Sequence, residues 1–318
     1  MRINKKVLSI LLSVSAMAFM LVGCNGNASK DGTTIVCTIF PIYDWVCEMT
    51  EGIDDVNVVL LADNGADMHS YQPTAKDILT VSDCDIFIYV GGESDEWIDE
   101  YLANNEKQER TEINLMEVLE NNVLEESDDG IVLGEEEEEE TEYDEHVWMS
   151  LKRSKICVEH IGEIIKAKIG NAEAVSNNTD TYMAELVSLE NEYSAFFESL
   201  DNPVITVADR FPFRYLVEDY NIDYYAAFSG CSTETDASFD TIITLGENFA
   251  STGEEIIFIT ESGNEELAET VLEQAGVEAS IEKINSVQSV VLDENGGYDK
   301  GYLELMKDNL EVFKTYMK

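Results

Sequence analysis

Thr34-Ile35-Val36-Cys37-Thr38-Ile39-Phe40 is a short run of β-branched and apolar side chains, and Pro41 closes it. A run of this length, bounded by a breaker, reads as a strand buried inside a sheet. Working outward, residues 43–50 look helical and 56–61 (VNVVLL) form a second apolar run. Residues 62–72 are a polar loop, and Pro73 precedes a helix at 74–81. A third run at 84–90 (CDIFIYV) is closed by Gly91-Gly92, and 93–104 is helical. Strands that alternate with helices, with little hairpin chemistry between them, predict a mainly parallel sheet.

The same alternation returns later in the chain. Strands are expected at 204–207, 224–228, 255–260 and 280–284, with helices at 212–220, 240–252, 265–275 and 301–316. Between the two halves lie a helix at 151–169 and a longer one at 179–200, with Asn177 or Asn178 as its cap. Tyr182, Leu186, Leu189, Tyr193 and Phe197 recur there at steps of three and four, which marks one apolar stripe. The expected architecture is therefore α/β: two α/β lobes with mainly parallel sheets, joined by one long α-helix. The N-terminal lobe takes 34–150, the helical region 151–202 and the C-terminal lobe 203–318.

The N-terminus reads as a targeting segment. Arg2, Lys5 and Lys6 precede an uncharged apolar stretch at 7–22, shorter than the roughly 20 residues of a membrane span. It ends in Leu21-Val22-Gly23-Cys24, which looks like a lipobox: a leader at 1–23, lipid on Cys24, and a polar tether at 24–33. No later run is long and apolar enough to span a membrane, so the lipid is the expected membrane attachment. The chain carries 66 acidic against 19 basic residues, a net charge of −47. Such a surface repels nucleic acid and gathers cations. The densest run of acid is in a loop at 125–143, where 135–140 are all glutamate; like charges in a block repel and stay solvated. Beyond Cys24, the cysteines are Cys37, Cys47, Cys84, Cys157 and Cys231, with no C-x-x-C pair among them. Cys37 and Cys84 fall in apolar strand runs and read as core.

Only 3 histidines occur. His69 lies in a loop after a strand, and His146 follows the acidic loop; both sit at element ends with acidic neighbours, where ligands converge in α/β folds. Neutral imidazole suits zinc and other first-row metals. His160, inside a helix, reads as structural or surface-facing. H-E-x-x-H, G-x-S-x-G and the phosphate-binding G-x-x-x-x-G-K motif are all missing, which argues against an enzyme.

Two stretches carry a resemblance. Gly65-Ala66-Asp67-Met68-His69-Ser70-Tyr71-Gln72-Pro73-Thr74-Ala75-Lys76-Asp77 and Asp144-Glu145-His146-Val147-Trp148-Met149-Ser150 are similar to the two histidine motifs of the zinc/manganese-binding solute-binding proteins of ABC importers, with 83–92 resembling the strand between them. The resemblance runs from about residue 34 to 318. It implies a metal in the cleft between the lobes, zinc or else manganese, and delivery to an importer permease. It also implies a lipid-anchored monomer on the extracytoplasmic face of a bacterial membrane. The acidic loop lies where zinc members carry a histidine- and acid-rich one. The family's third ligand falls here on Arg210, which cannot bind a cation, and its fourth on Asn285. Acidic ligands are then expected from Asp209, Glu234 or Glu261, with the Cys231 thiolate a further candidate and Arg210 free to pair with Asp209. Two alternatives follow: a manganese-selective member, or a surface adhesin on the same scaffold with a degraded metal site.

Overall fold

A computed structural model describes residues 32–104, 110–126, 130–131, 143–232 and 237–317. The leader, Cys24, nearly all of the tether, the glutamate run 135–140 and Glu234 lie outside the described residues.

The first sheet holds β1 (Thr33–Cys37), β2 (Val56–Leu60), β3 (Ile86–Tyr89) and β4 (Thr111–Asn114), in the order β2-β1-β3-β4. Every neighbouring pair is parallel. Its helices are α1 (Phe40–Met49), α2 (Ala75–Asp83), α3 (Glu96–Asn104) and α4 (Leu115–Leu119). Two central helices follow, α5 (Leu151–Lys168) and α6 (Ala172–Phe197). The second sheet repeats the plan: β5 (Val204–Phe211), β6 (Asp223–Ser229), β7 (Ile256–Thr260) and β8 (Ser280–Ile284), in the order β6-β5-β7-β8 and again parallel throughout. Helices α7 (Arg214–Tyr220), α8 (Phe239–Thr252), α9 (Glu265–Ala275) and α10 (Tyr302–Tyr316) complete it. Among the described residues no helix is long and apolar enough to cross a membrane.

Three details depart from the reading above. Pro41 does not break the chain but sits in the first turn of α1, where its missing N–H costs no helical hydrogen bond. Helix α6 starts at Ala172, seven residues before 179, and Asn178 is no cap. Its amide instead donates to Glu51 O (3.0 Å) and Met49 O (3.3 Å), tying α6 to the end of α1. Strand β4 and helix α4 were not expected.

Burial follows the sheets. On one side of the first sheet, Val36, Phe87 and Tyr89 pack with Val81 of α2 and Ile98 of α3. On one side of the second, Ala208, Ala227 and Ile257 pack with Phe249 of α8 and Val271 of α9. The remaining faces share one continuous core. It runs from Ile35 and Ile88 of the first sheet, through Trp45, Ile161, Leu186 and Tyr193, to Val207 and Phe258 of the second and Phe313 of α10. Helix α6, about 39 Å long at 1.5 Å per residue, is the spine of this core. All five side chains of its expected stripe are buried. Tyr182 OH donates to Asp44 Oδ2 of α1 (3.2 Å), and Tyr193 OH donates to Met306 O of α10 (2.5 Å).

Candidate metal centre

Two turns of the same construction carry the histidines. His69 lies in the 3-10 turn Met68–Ser70, and its amide N–H donates to Asp67 Oδ1 at 2.9 Å. His146 opens the turn Val147–Met149, and its amide N–H donates to Asp144 Oδ1 at 2.8 Å. In each Asp-x-His the aspartate closes a local turn onto the histidine's own backbone. The second turn is further pinned: Tyr215 OH donates to Asp144 O (2.6 Å), and Trp148 Nε1 donates to Ser286 O (2.8 Å).

These turns bring His69 Nε2 and His146 Nε2 to 3.2 Å. The other nitrogen of each ring has its own partner. His69 Nδ1 lies 2.8 Å from Ser94 Oγ and 3.5 Å from Glu145 Oε2, and His146 Nδ1 lies 3.2 Å from Asp144 Oδ1. With the Nδ1 protons donated to those oxygens, both Nε2 lone pairs face one another, and only a proton or a cation between them relieves the repulsion. Metal-bound histidines are held in this way, with the second nitrogen on a carboxylate or hydroxyl. Zinc–nitrogen bonds of about 2.0 Å in a tetrahedron set two ligand nitrogens about 3.3 Å apart.

The third member comes from the other lobe. Cys231, in the turn after β6, offers its sulfur to a group in which the ligand atoms of His69, His146 and Cys231 all lie within 4.8 Å of one another. Glu126, Asp144 and Cys231 form an adjoining group by the same measure, and Cys231 N donates to Glu126 Oε1 at 3.0 Å. Glu126 stands at the stem of the acidic loop, whose ends are paired through an antiparallel bridge between Glu125 and Tyr143. Gly230 makes the approach possible: a Cβ there would stand 2.8 Å from Phe211 O and 3.2 Å from His146 Cε1. Gly92 does the same for Glu145, with φ +85° and a Cβ position 2.3 Å from Glu145 Oε1.

Burial dominates the electrostatics. It lowers the His69 pKa to about 3, with His146 beside it adding to the effect, so that ring is neutral and a ready donor. Burial also pushes His146 down, but the charge and hydrogen bond of Asp144, together with the charges of Asp67 and Glu145, outweigh it and the net shift is upward. The Cys231 thiol is raised, first by burial and then by the charges of Asp144, Glu126 and Glu145. Glu126 and Glu145 are likewise raised by burial. A divalent cation would favour the charged forms of Cys231, Glu126 and Glu145 together.

The other expected ligands lie elsewhere. Asp209 is not drawn into the group: its Oδ2 accepts from Thr260 N (3.2 Å) and from Thr260 Oγ1 of the neighbouring strand, and its Oδ1 accepts from Arg210 N (2.8 Å). Glu261 accepts from Ser286 N and Oγ, and Asn285 Oδ1 accepts from Val287 N at 2.6 Å. The Arg210 side chain does not pair with Asp209. Its guanidinium reaches Asp67 Oδ2 at 2.9 Å, because Thr260 already holds the Asp209 carboxylate. His160 is exposed on α5, and Cys37 and Cys84 are fully buried. Ser94, Glu145, Glu126 and Gln288 surround the site without having been singled out by the sequence reading; Glu145 alone had a signal, as neighbour of His146 in its motif.

The model of the family described as zinc-uptake complex component A, periplasmic (ZnuA) matches residues 35–316. The chain belongs to this family. It is 29% identical over 314 residues to the zinc-binding lipoprotein AdcA of Streptococcus pneumoniae, across 97% of this chain and 60% of that protein. It thus spans about 60% of the length of the AdcA relatives it matches. With the high-affinity zinc uptake system protein ZnuA of Bacillus subtilis it shares 26% identity over 326 residues, covering 95% of this chain and 96% of that one. The crystal structure of the Zn(II)-bound ZnuA-like domain of Streptococcus pneumoniae AdcA superimposes with a TM-score of 0.69 at 26% identity, over 90% of this chain and 98% of that domain. The two-lobed α/β fold with its long connecting helix is the fold of that domain.

Proposed function

We propose that this chain captures a divalent transition metal outside the cytoplasm and delivers it to the permease of an ABC importer, with zinc as the first cargo and manganese the second. One observation carries the reading. Two imidazole nitrogens face one another at 3.2 Å, and a thiol from the opposite lobe completes the group. Ligands from both lobes give a metal a stake in the closed form, since a ligand shifts an equilibrium only through differential affinity. Nitrogen and sulfur donors favour zinc over manganese, which prefers oxygen. The zinc-binding names of the relatives support the same cargo. On this reading the ligands are His69, His146 and Cys231, while Ser94, Asp144 and Glu145 orient them. Asp209 is a structural carboxylate, and Cys24 carries a lipid that holds a monomer to the outer face of the cell membrane. The reading contains no enzymatic step.

Calorimetric titration of residues 25–318 with zinc and then manganese tests it, run beside His69→Ala. Tight one-to-one binding that the variant loses is expected. Weak binding at many sites, unchanged in the variant, would overturn the reading and return the chain to the surface-adhesin alternative.

A further inference from the structure

A permanently charged guanidinium stands beside this cation site, and its partner is the aspartate that shapes the first histidine turn. Arg210 Nη2 is 2.9 Å from Asp67 Oδ2, and Gln288 Nε2 donates to the same oxygen at 3.2 Å. Gln288 Oε1 in turn accepts from Met68 N at 3.3 Å. Asp67 Oδ1 is taken by the His69 amide. Both oxygens are therefore engaged, and the charge is met from the opposite lobe. Asp67 nevertheless stands close to the metal ligands. It is two residues from His69, and its charge is felt by both imidazoles. With Arg210, Gln288 and Gly230 it lines a cavity of ≈ 10 Å³, and Gly230 adjoins both Cys231 and His146. Yet Asp67 is not a member of the ligand group.

We infer that Arg210 sets the metal preference of the site by holding Asp67 out of the coordination sphere. The inference rests on the reading of His69, His146 and Cys231 as the ligands. Two nitrogens and a sulfur suit a small four-coordinate ion such as zinc. One added carboxylate would supply the hard oxygen and the higher coordination number that manganese seeks. Arginine suits the holding role because it stays charged at every working pH. The pair also cancels its own charge, so Arg210 repels the incoming cation far less than a lone guanidinium would.

The test is competitive titration of the chain with zinc and manganese, reading the ratio of the two affinities. Arg210→Gln should strengthen manganese binding at least tenfold while zinc changes less than threefold. Arg210→Lys, which keeps a charged donor for the single Asp67 oxygen, should retain the wild-type ratio. Arg210→Gln/Asp67→Asn should return to that ratio, because the freed side chain no longer carries a carboxylate. Gln288→Leu removes the other hold on Asp67 Oδ2 and should move the ratio the same way by a smaller factor, which keeps the test decisive if Arg210→Gln does not fold. Zinc and manganese weakened alike in Arg210→Gln, or an unmoved ratio in both Arg210→Gln and Gln288→Leu, would overturn the inference and leave the ligand reading standing. Failure of the wild-type chain to bind zinc tightly would overturn both.

Discussion

His69 Nε2 and His146 Nε2 stand 3.2 Å apart across 77 residues of sequence, each ring turned by an oxygen on its far nitrogen. That relationship concentrates the function in a few replaceable atoms.

Removing a ligand should be costly and removing a bystander should not. His69→Ala, His146→Ala and Cys231→Ser should each weaken zinc binding by more than about 100-fold, beyond the range for losing an orienting partner. His160→Ala, exposed on α5, should leave it unchanged. Calorimetry on the four variants decides this; equal losses in all four would sink the site assignment.

The orienting oxygens should have a smaller effect. Ser94→Ala frees His69 Nδ1, and Asp144→Asn exchanges the carboxylate on His146 Nδ1 for an amide. Each should lower zinc affinity by about 10–100-fold while the far-ultraviolet circular dichroism stays that of the wild type.

Zinc affinity should rise with pH. His146 and Cys231 both hold their protons above their ordinary pKa values in the metal-free chain. A metal must displace those protons, and displacement is easier where protons are scarce. His69, lowered to about 3, releases none near neutrality. Titrations in buffers of different ionisation enthalpy should register net proton release on binding; zero release would contradict the scheme.

Asp209 separates stability from binding. Its carboxylate accepts from Thr260 N, Thr260 Oγ1 and Arg210 N. Asp209→Ala should therefore lower unfolding stability by about 2 kcal/mol, the scale of losing hydrogen bonds to a charged group. Zinc affinity should barely move. A large loss of zinc binding at unchanged stability would restore Asp209 as a ligand.

Deleting 135–140 should leave tight zinc binding intact, because the candidate ligands among the described residues lie outside that run. Loss of tight binding on titration would make the glutamates a primary ligand source.

The sequence made the strands legible where β-branched runs were long and sharply bounded, as in β1, β3 and β7. It hid β4, whose four residues Thr111–Asn114 include one apolar side chain, Ile113, and α4, a helix of only five residues. Both histidines were legible because each lies in an Asp-x-His turn, a local device that needs no distant partner. Cys231 was legible only as one of several candidates for a third position, since nothing near it in the chain announces a site. The turn after β6 meets the two histidine turns across the lobes, a proximity that no local pattern records. Strand β5 runs on to Phe211, past the expected end at 207. Its register shifts between Val207 and Arg210, and a bulge re-aims the side chains that follow it. Asp209 turned to Thr260 and Arg210 to Asp67 are what that shift leaves behind.

The continuous core around α6 also has a thermodynamic consequence. Because side chains of both sheets bury themselves in one mass with α1, α5, α6 and α10, neither half has a complete interior of its own to melt independently. Heating should produce a single cooperative transition. A metal bound at the proposed site would then stabilise the entire chain by mass action, by about 4 kcal/mol when free zinc is 1,000-fold above its dissociation constant. The melting temperature of the whole molecule thereby becomes a gauge of whether the cargo is aboard.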